Sequence, residues 1–158
     1  MPSITPCLWF DRQAEEAARF YCAIFPNSKI TDVSRYPENL PGDRAGEVLT
    51  VAFELDGKSF TGLNGGPQFT FSEAISFQIE VETQAELDSY WTALLADGGQ
   101  ESQCGWLKDR FGLSWQVVPT QLAKLMSSPD RDAANRVAAA MMQMVKLDIA
   151  QLEAAAKG

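Results

Sequence analysis

Three stretches place hydrogen-bonding side chains at every second position among apolar ones. Ser76, Gln78 and Glu80 alternate with Phe77, Ile79 and Val81. Ser114 and Gln116 alternate with Leu113, Trp115 and Val117, while Thr50 and Glu54 alternate with Leu49, Val51, Phe53 and Leu55. Successive strand side chains point to opposite faces, so each stretch offers an apolar face to a helix and a polar face to something wetter. The chemistry available there is modest. Glu80, and with it Glu54, could act as a general base if partly desolvated, although Glu54 lies two residues before the Asp56-Gly57 turn, where water reaches it. Gln78 and Gln116 both donate and accept, so they could orient a carbonyl or hydroxyl, or simply bond each other. Trp9 and Trp106 could stack a planar ligand, whereas Trp91 and Trp115 fall on core positions. The nearest basic residue to Cys104 in sequence is Lys108, which points to an inert thiol.

Composition narrows the field further. The chain has 158 residues, 46% hydrophobic and 10% aromatic, with a formal net charge of −8. Such a chain builds one globular domain, or two half-size modules sharing a core. The acidic balance argues against nucleic acid or an anionic membrane as partner. No secretory signal is expected before Cys7 and no apolar run approaches the ~18 residues of a membrane span. Cys7, Cys22 and Cys104 lack paired spacing, as in a reduced, cytoplasmic protein. There is no histidine, which removes Ser-His-Asp and Cys-His nucleophiles and every His-ligated metal site.

The elements that must position these residues repeat. Thr5–Phe10 reads as a strand, and residues 11–25 as a helix with Ala17, Phe20, Tyr21, Ile24 and Phe25 on one face. Strands follow at 29–35, 47–55 and 58–64, the last two joined by an Asp56-Gly57 hairpin turn. The Pro- and Gly-bearing loop 37–46 is predicted to be mobile. Then the pattern restarts. Residues 75–81 form a strand, Thr83 caps a helix, and Leu87, Tyr90, Trp91, Leu94 and Leu95 match the apolar face of the first helix at one constant offset. Three short strands end with 113–118, where Gly112 supplies the positive φ of the preceding turn. After Pro119 the spacing predicts helices over 120–126, 130–145 and 148–156, with Asp148 as a cap.

The segments LWFDRQAEEAARFYCAIFPNSKI, GLNGGPQF, SFQIEVETQAELDSYW and CGWLKDRFGLSWQVVP together resemble the PhnB-like branch of the vicinal-oxygen-chelate (glyoxalase/bleomycin-resistance) superfamily, also labelled 3-demethylubiquinone-9 3-methyltransferase-like. The resemblance implies an α+β fold of two βαβββ modules, 3–67 and 74–118, whose mixed sheets curve around a cavity as one domain, 1–118. Helices over 119–158 would pack on that domain or on a partner subunit. It further implies a homodimer. In this superfamily His and Glu usually hold a divalent metal. The corresponding second-module positions are Ser76 and Gln116, and the first-module positions fall near Pro6 or Cys7 and within 61–64. No His or Glu stands at any of them. No strand leads through a glycine-rich turn into a helix, so the methyltransferase label finds no cofactor cradle. The leading expectation is a small organic ligand bound by Trp9, Thr50, Glu54, Asn64, Ser76, Gln78, Trp106, Ser114 and Gln116, with no metal or cofactor. The alternatives are a metal-dependent isomerase, lyase or dioxygenase using Glu80 with Asn64 and Gln116, and a structural dimer with a filled cavity.

Overall fold

The computed structural model describes residues 1–158. The chain divides into two compact units, Met1–Thr70 and Phe71–Gly158. In the first, β1 (Cys7–Phe10), α1 (Ala14–Ile24), β2 (Lys29–Arg35), β3 (Val48–Leu55) and β4 (Lys58–Asn64) build a four-stranded sheet of order β1-β4-β3-β2. In the second, β5 (Ser76–Val81), α2 (Gln84–Leu95), β6 (Gln100–Glu101), β7 (Trp106–Lys108) and β8 (Ser114–Pro119) repeat that topology as β5-β8-β7-β6. Each sheet has one parallel pair, β1 with β4 or β5 with β8, and antiparallel pairs elsewhere. A parallel pair needs a crossover connection, which α1 or α2 supplies, and in each module the last strand takes the place beside the first. Two βαβββ modules, as the repeat implies, are what the chain forms.

Local chemistry explains the joints. Asp56 and Gly57 have φ of 47° and 76°, both positive as a two-residue type I′ hairpin requires, and Leu55 pairs with Lys58 across it. Helix α1 starts at Ala14, three residues later than the periodicity suggests, and its Gln13 cap makes no side-chain bond. The distant Asn64 does the capping: its Oδ1 accepts from Ala14 N at 2.9 Å and its Nδ2 donates to the Val48 carbonyl at 3.1 Å. In α2 the cap is local, with Thr83 Oγ1 accepting from Glu86 N at 3.2 Å.

Each sheet packs one face on its own helix. Val51, Phe53, Leu8 and Phe10 are buried beneath Ala14, Ala17, Ala18 and Tyr21 of α1. In the second unit Val81, Leu107, Trp115 and Val117 are buried with Leu87, Trp91 and Leu94 of α2. Trp91 and Trp115, each 3% exposed, keep their indole N–H groups satisfied, on Glu101 Oε1 at 3.0 Å and Asp109 Oδ2 at 2.9 Å respectively.

The tail, α3 (Thr120–Met126), α4 (Arg131–Met141) and α5 (Ile149–Lys157), belongs to the second unit. Asp130 and Asp148 cap α4 and α5 through Ala133 N and Gln151 N. Helix α4 ends at Met141 rather than continuing to residue 145. The carbonyls of Met144 and Val145 instead accept from Cys104 N and Gly105 N, each at 2.8 Å. Gln84 completes the docking, donating to the Leu147 carbonyl and accepting from Ile149 N. No helix is long and apolar enough to cross a membrane.

Candidate functional site

The faces turned away from α1 and α2 carry the polar residues, and the two units use them differently. On the second sheet, register places Ser76 beside Ser114 and Gln78 beside Gln116 across the parallel β5–β8 pair. On the other side of β8, Trp106 lies opposite Gln116 and Lys108 opposite Ser114. Gln116 Nε2 donates to Ser76 Oγ at 2.8 Å, and Gln116 Oε1 accepts from Gln78 Nε2 at 3.3 Å. Ser76, Gln116 and Gln78 thus form one hydrogen-bonded row with Gln78 exposed and the other two half-buried. Glu80 continues the face two residues further along β5 but is exposed, outside the desolvated surroundings that a general base of this kind needs.

Ser114 differs from its neighbours. It is 1% exposed, and its Oγ has no hydrogen-bond partner. A cleft of about 140 Å³ opens beside it, lined also by Glu73, Gln100, Glu101, Trp106 and Lys108. Lys108 Nζ meets Glu73 Oε1 at 2.5 Å. That hydrogen bond, foremost, holds the Glu73 carboxyl below the ordinary glutamate range.

The turn below the cleft depends on a residue that the sequence pattern did not single out. Asp109, 3% exposed, accepts from Phe111 N, Leu113 N and Trp115 Nε1 at 2.9, 3.1 and 2.9 Å. It ties the β7–β8 turn to the core tryptophan and so fixes where β8 presents Ser114 and Gln116. Gly112 completes that turn with a φ of 86°.

The expected site residues of the first unit are engaged in the scaffold. Asn64 is 4% exposed and spends its amide on Ala14 and Val48, as described above. Trp9 Nε1 donates to the Gly66 carbonyl at 2.9 Å, and its ring meets Phe69 edge-on at 4.9 Å. A Cβ at Gly65 would lie 2.3 Å from the Trp9 ring, so the glycine lets the 65–69 segment close over the indole. Thr50 Oγ1 is bonded to Ser34 Oγ, and Glu54 Oε2 lies 4.0 Å from Lys29 Nζ. The loop 37–46 has an anchor that its composition conceals. Arg44 lies 4.6 Å over the Tyr36 ring, donates to Tyr36 Oη at 3.1 Å, and reaches Glu47 Oε2 at 3.0 Å. Tyr36 Oη in turn donates to the Asn64 carbonyl. The three cysteines are free, and burial pushes the Cys22 thiol up.

Residues 2–118, both βαβββ modules, match the family described as 3-demethylubiquinone-9 3-methyltransferase. The chain belongs to that family. It is 34% identical to the solved PhnB protein of Bacillus cereus, itself labelled with the same methyltransferase activity. The alignment covers 75% of this chain and all of that one, with a TM-score of 0.66. A Pseudomonas aeruginosa protein is 20% identical over 75% of this chain and 98% of its own, with a TM-score of 0.62. The fosfomycin resistance protein FosX of Mesorhizobium loti, 11% identical over 80% of this chain and 98% of its own, matches at a TM-score of 0.58 and shares the fold. No functionally curated protein is similar enough to match. The PhnB-like chain therefore has the α+β fold of the vicinal-oxygen-chelate proteins, with helices added at its C-terminus.

The metal usual in that superfamily does not fit the residues present. Ser76 and Gln116 occupy the second-module positions, and they are neutral groups bonded to each other. They bring no charge or imidazole to offset a divalent ion. Within either unit, no three His, Cys, Asp or Glu side chains gather into a set of metal donors. The family name likewise implies a methyl-donor site, but the glycine-rich segment after β4 runs into an irregular stretch before β5 rather than into a helix.

Proposed function

We propose that this PhnB-like protein binds a small organic molecule with a planar portion on the polar face of its second sheet, without a metal. The Ser76–Gln116–Gln78 row is the observation that carries this reading. These three groups bond one another rather than the backbone, and the Gln78–Gln116 bond lies at the surface, so a ligand carbonyl or hydroxyl can replace it at little cost. Trp106, opposite Gln116, provides the apolar wall that a mostly apolar binding site needs. Glutamine both donates and accepts, so the row suits a neutral hydrogen-bonding edge rather than one fixed charge.

Thermal shift with a panel of planar aromatic alcohols, amides and acids tests the proposal. Members that raise the Tm of the wild-type protein should lose that effect in Gln116→Ala and in Trp106→Ala. A panel in which no member shifts the wild-type Tm counts against it, as does one whose shifts survive both substitutions.

A further inference from the structure

The chain holds one Asn-Gly step, Asn64-Gly65, where β4 ends. An asparagine followed by glycine is the pair most open to deamidation, because no side chain hinders the glycine nitrogen as it approaches the asparagine side-chain carbon. Two separate structural demands put the pair here. Asn64 caps α1 at Ala14 and donates to the Val48 carbonyl. Gly65 stands where a Cβ would lie 2.3 Å from the Trp9 ring. Neither residue can change without loss of the cap or of the close approach to the indole.

The fold holds each reacting group away from the reaction. Asn64 is 4% exposed, and both atoms of its side-chain amide are engaged. The would-be nucleophile, Gly65 N, donates to the Phe10 carbonyl at 2.9 Å. The Asn64 carbonyl accepts from Tyr36 Oη, which resists rotation of the peptide between the two residues. Ring closure needs Asn64 to leave its strand conformation, and with it the pairing to Phe10.

We infer that Asn64-Gly65 is a modification site kept latent by the first unit, reacting when that unit opens and yielding a product that cannot rebuild the joint. Gly65 N gives its proton to solvent and bonds to Asn64 Cγ; the Cγ–Nδ2 bond breaks and ammonia leaves. Water then opens the cyclic imide at either carbonyl, giving aspartate or isoaspartate, with nothing oxidised or reduced. Aspartate keeps an acceptor for Ala14 N but loses the donor to Val48 and sets a carboxylate against that carbonyl. Isoaspartate adds a methylene to the main chain and so moves Gly65 off Phe10 and Trp9. Opening of the first unit thereby becomes progressively irreversible.

Peptide mapping by mass spectrometry tests this on the full chain, incubated at mildly alkaline pH with and without guanidinium chloride. The exposed Asn27-Ser28 step serves as internal reference. In denaturant Asn64 should convert at least fivefold faster than Asn27. In the folded protein the Asn64 rate should fall at least a hundredfold, as expected when only the open form reacts. Tyr36→Phe should speed Asn64 conversion severalfold in the folded protein and leave the unfolded rate unchanged. Chains converted in denaturant and then refolded should melt below wild type, as should Asn64→Asp. Equal Asn64 rates with and without denaturant, or Asn27 ahead of Asn64 in denaturant, would overturn the inference. So would an unchanged folded rate in Tyr36→Phe, or converted chains that regain the wild-type Tm. An Asn64→Asp chain that fails to fold agrees with it, and the wild-type rates still decide.

Discussion

In the first sheet, Asn64 and Trp9 send their polar atoms to backbone groups at Ala14, Val48 and Gly66. In the second, Ser76, Gln116 and Gln78 bond one another, and the Ser114 hydroxyl has no partner. The two sheets have the same topology and the same alternation, so the difference lies in what the side chains serve. A buried polar group that satisfies the backbone cannot turn to a ligand without leaving an amide or carbonyl unpaired. One that bonds only another side chain at the surface can exchange partners. The alternation therefore identifies two candidate faces, and the partners of the polar groups tell scaffold from site.

Substitutions can break or sharpen that contrast. The largest effect is expected at Asp109, the scaffold residue beneath the second face. Asp109→Ala strands two backbone amides and a core indole N–H, and should lower unfolding free energy by about 3–5 kcal/mol, read by urea denaturation. Asn64→Ala comes next. It strips the cap from α1 and a donor from Val48, for a loss of about 2–3 kcal/mol; a loss below about 0.5 kcal/mol would mean that the first face is not committed to scaffold.

The smallest effect concerns the ion pair at the cleft. Lys108 holds the Glu73 carboxyl below its ordinary range. A depressed folded pKa means that the pair favours the folded protein above the ordinary glutamate pKa, and that this contribution disappears as pH falls through the depressed value. Both side chains are exposed enough for water to screen them, so the consequence for stability is slight. A ¹³C titration should find the Glu73 midpoint lower in wild type than in Lys108→Met, and equal midpoints would remove the pair from the account.

Much of the fold was legible because its signals are local or periodic. The restart of the strand-helix pattern at residue 75, the Asp56-Gly57 turn and the Thr83 and Asp148 caps all act within a few residues. Trp91 and Trp115 were readable as core from spacing alone. Asn64 was legible only as a polar residue ending a strand, since its partner Ala14 lies in a different element. Asp109 was hidden inside a turn of ordinary composition. The early end of α4 was invisible because it depends on carbonyls at 144 and 145 serving amides at 104 and 105. For the site, alternation named Ser76, Gln78, Ser114 and Gln116 correctly as one face, but alternation alone cannot say that Thr50, Asn64 and Trp9 have their partners already.

The most direct test of the central claim is a ¹H–¹⁵N titration of the wild-type chain with a planar compound that raises its Tm. The account predicts that the Gln78 and Gln116 side-chain amides and the Trp106 indole shift together, with a common dissociation constant, while the Asn64 amide and the Trp9 indole stay in place. Shifts centred on Trp9 and Asn64, with the glutamine row unmoved, would contradict it.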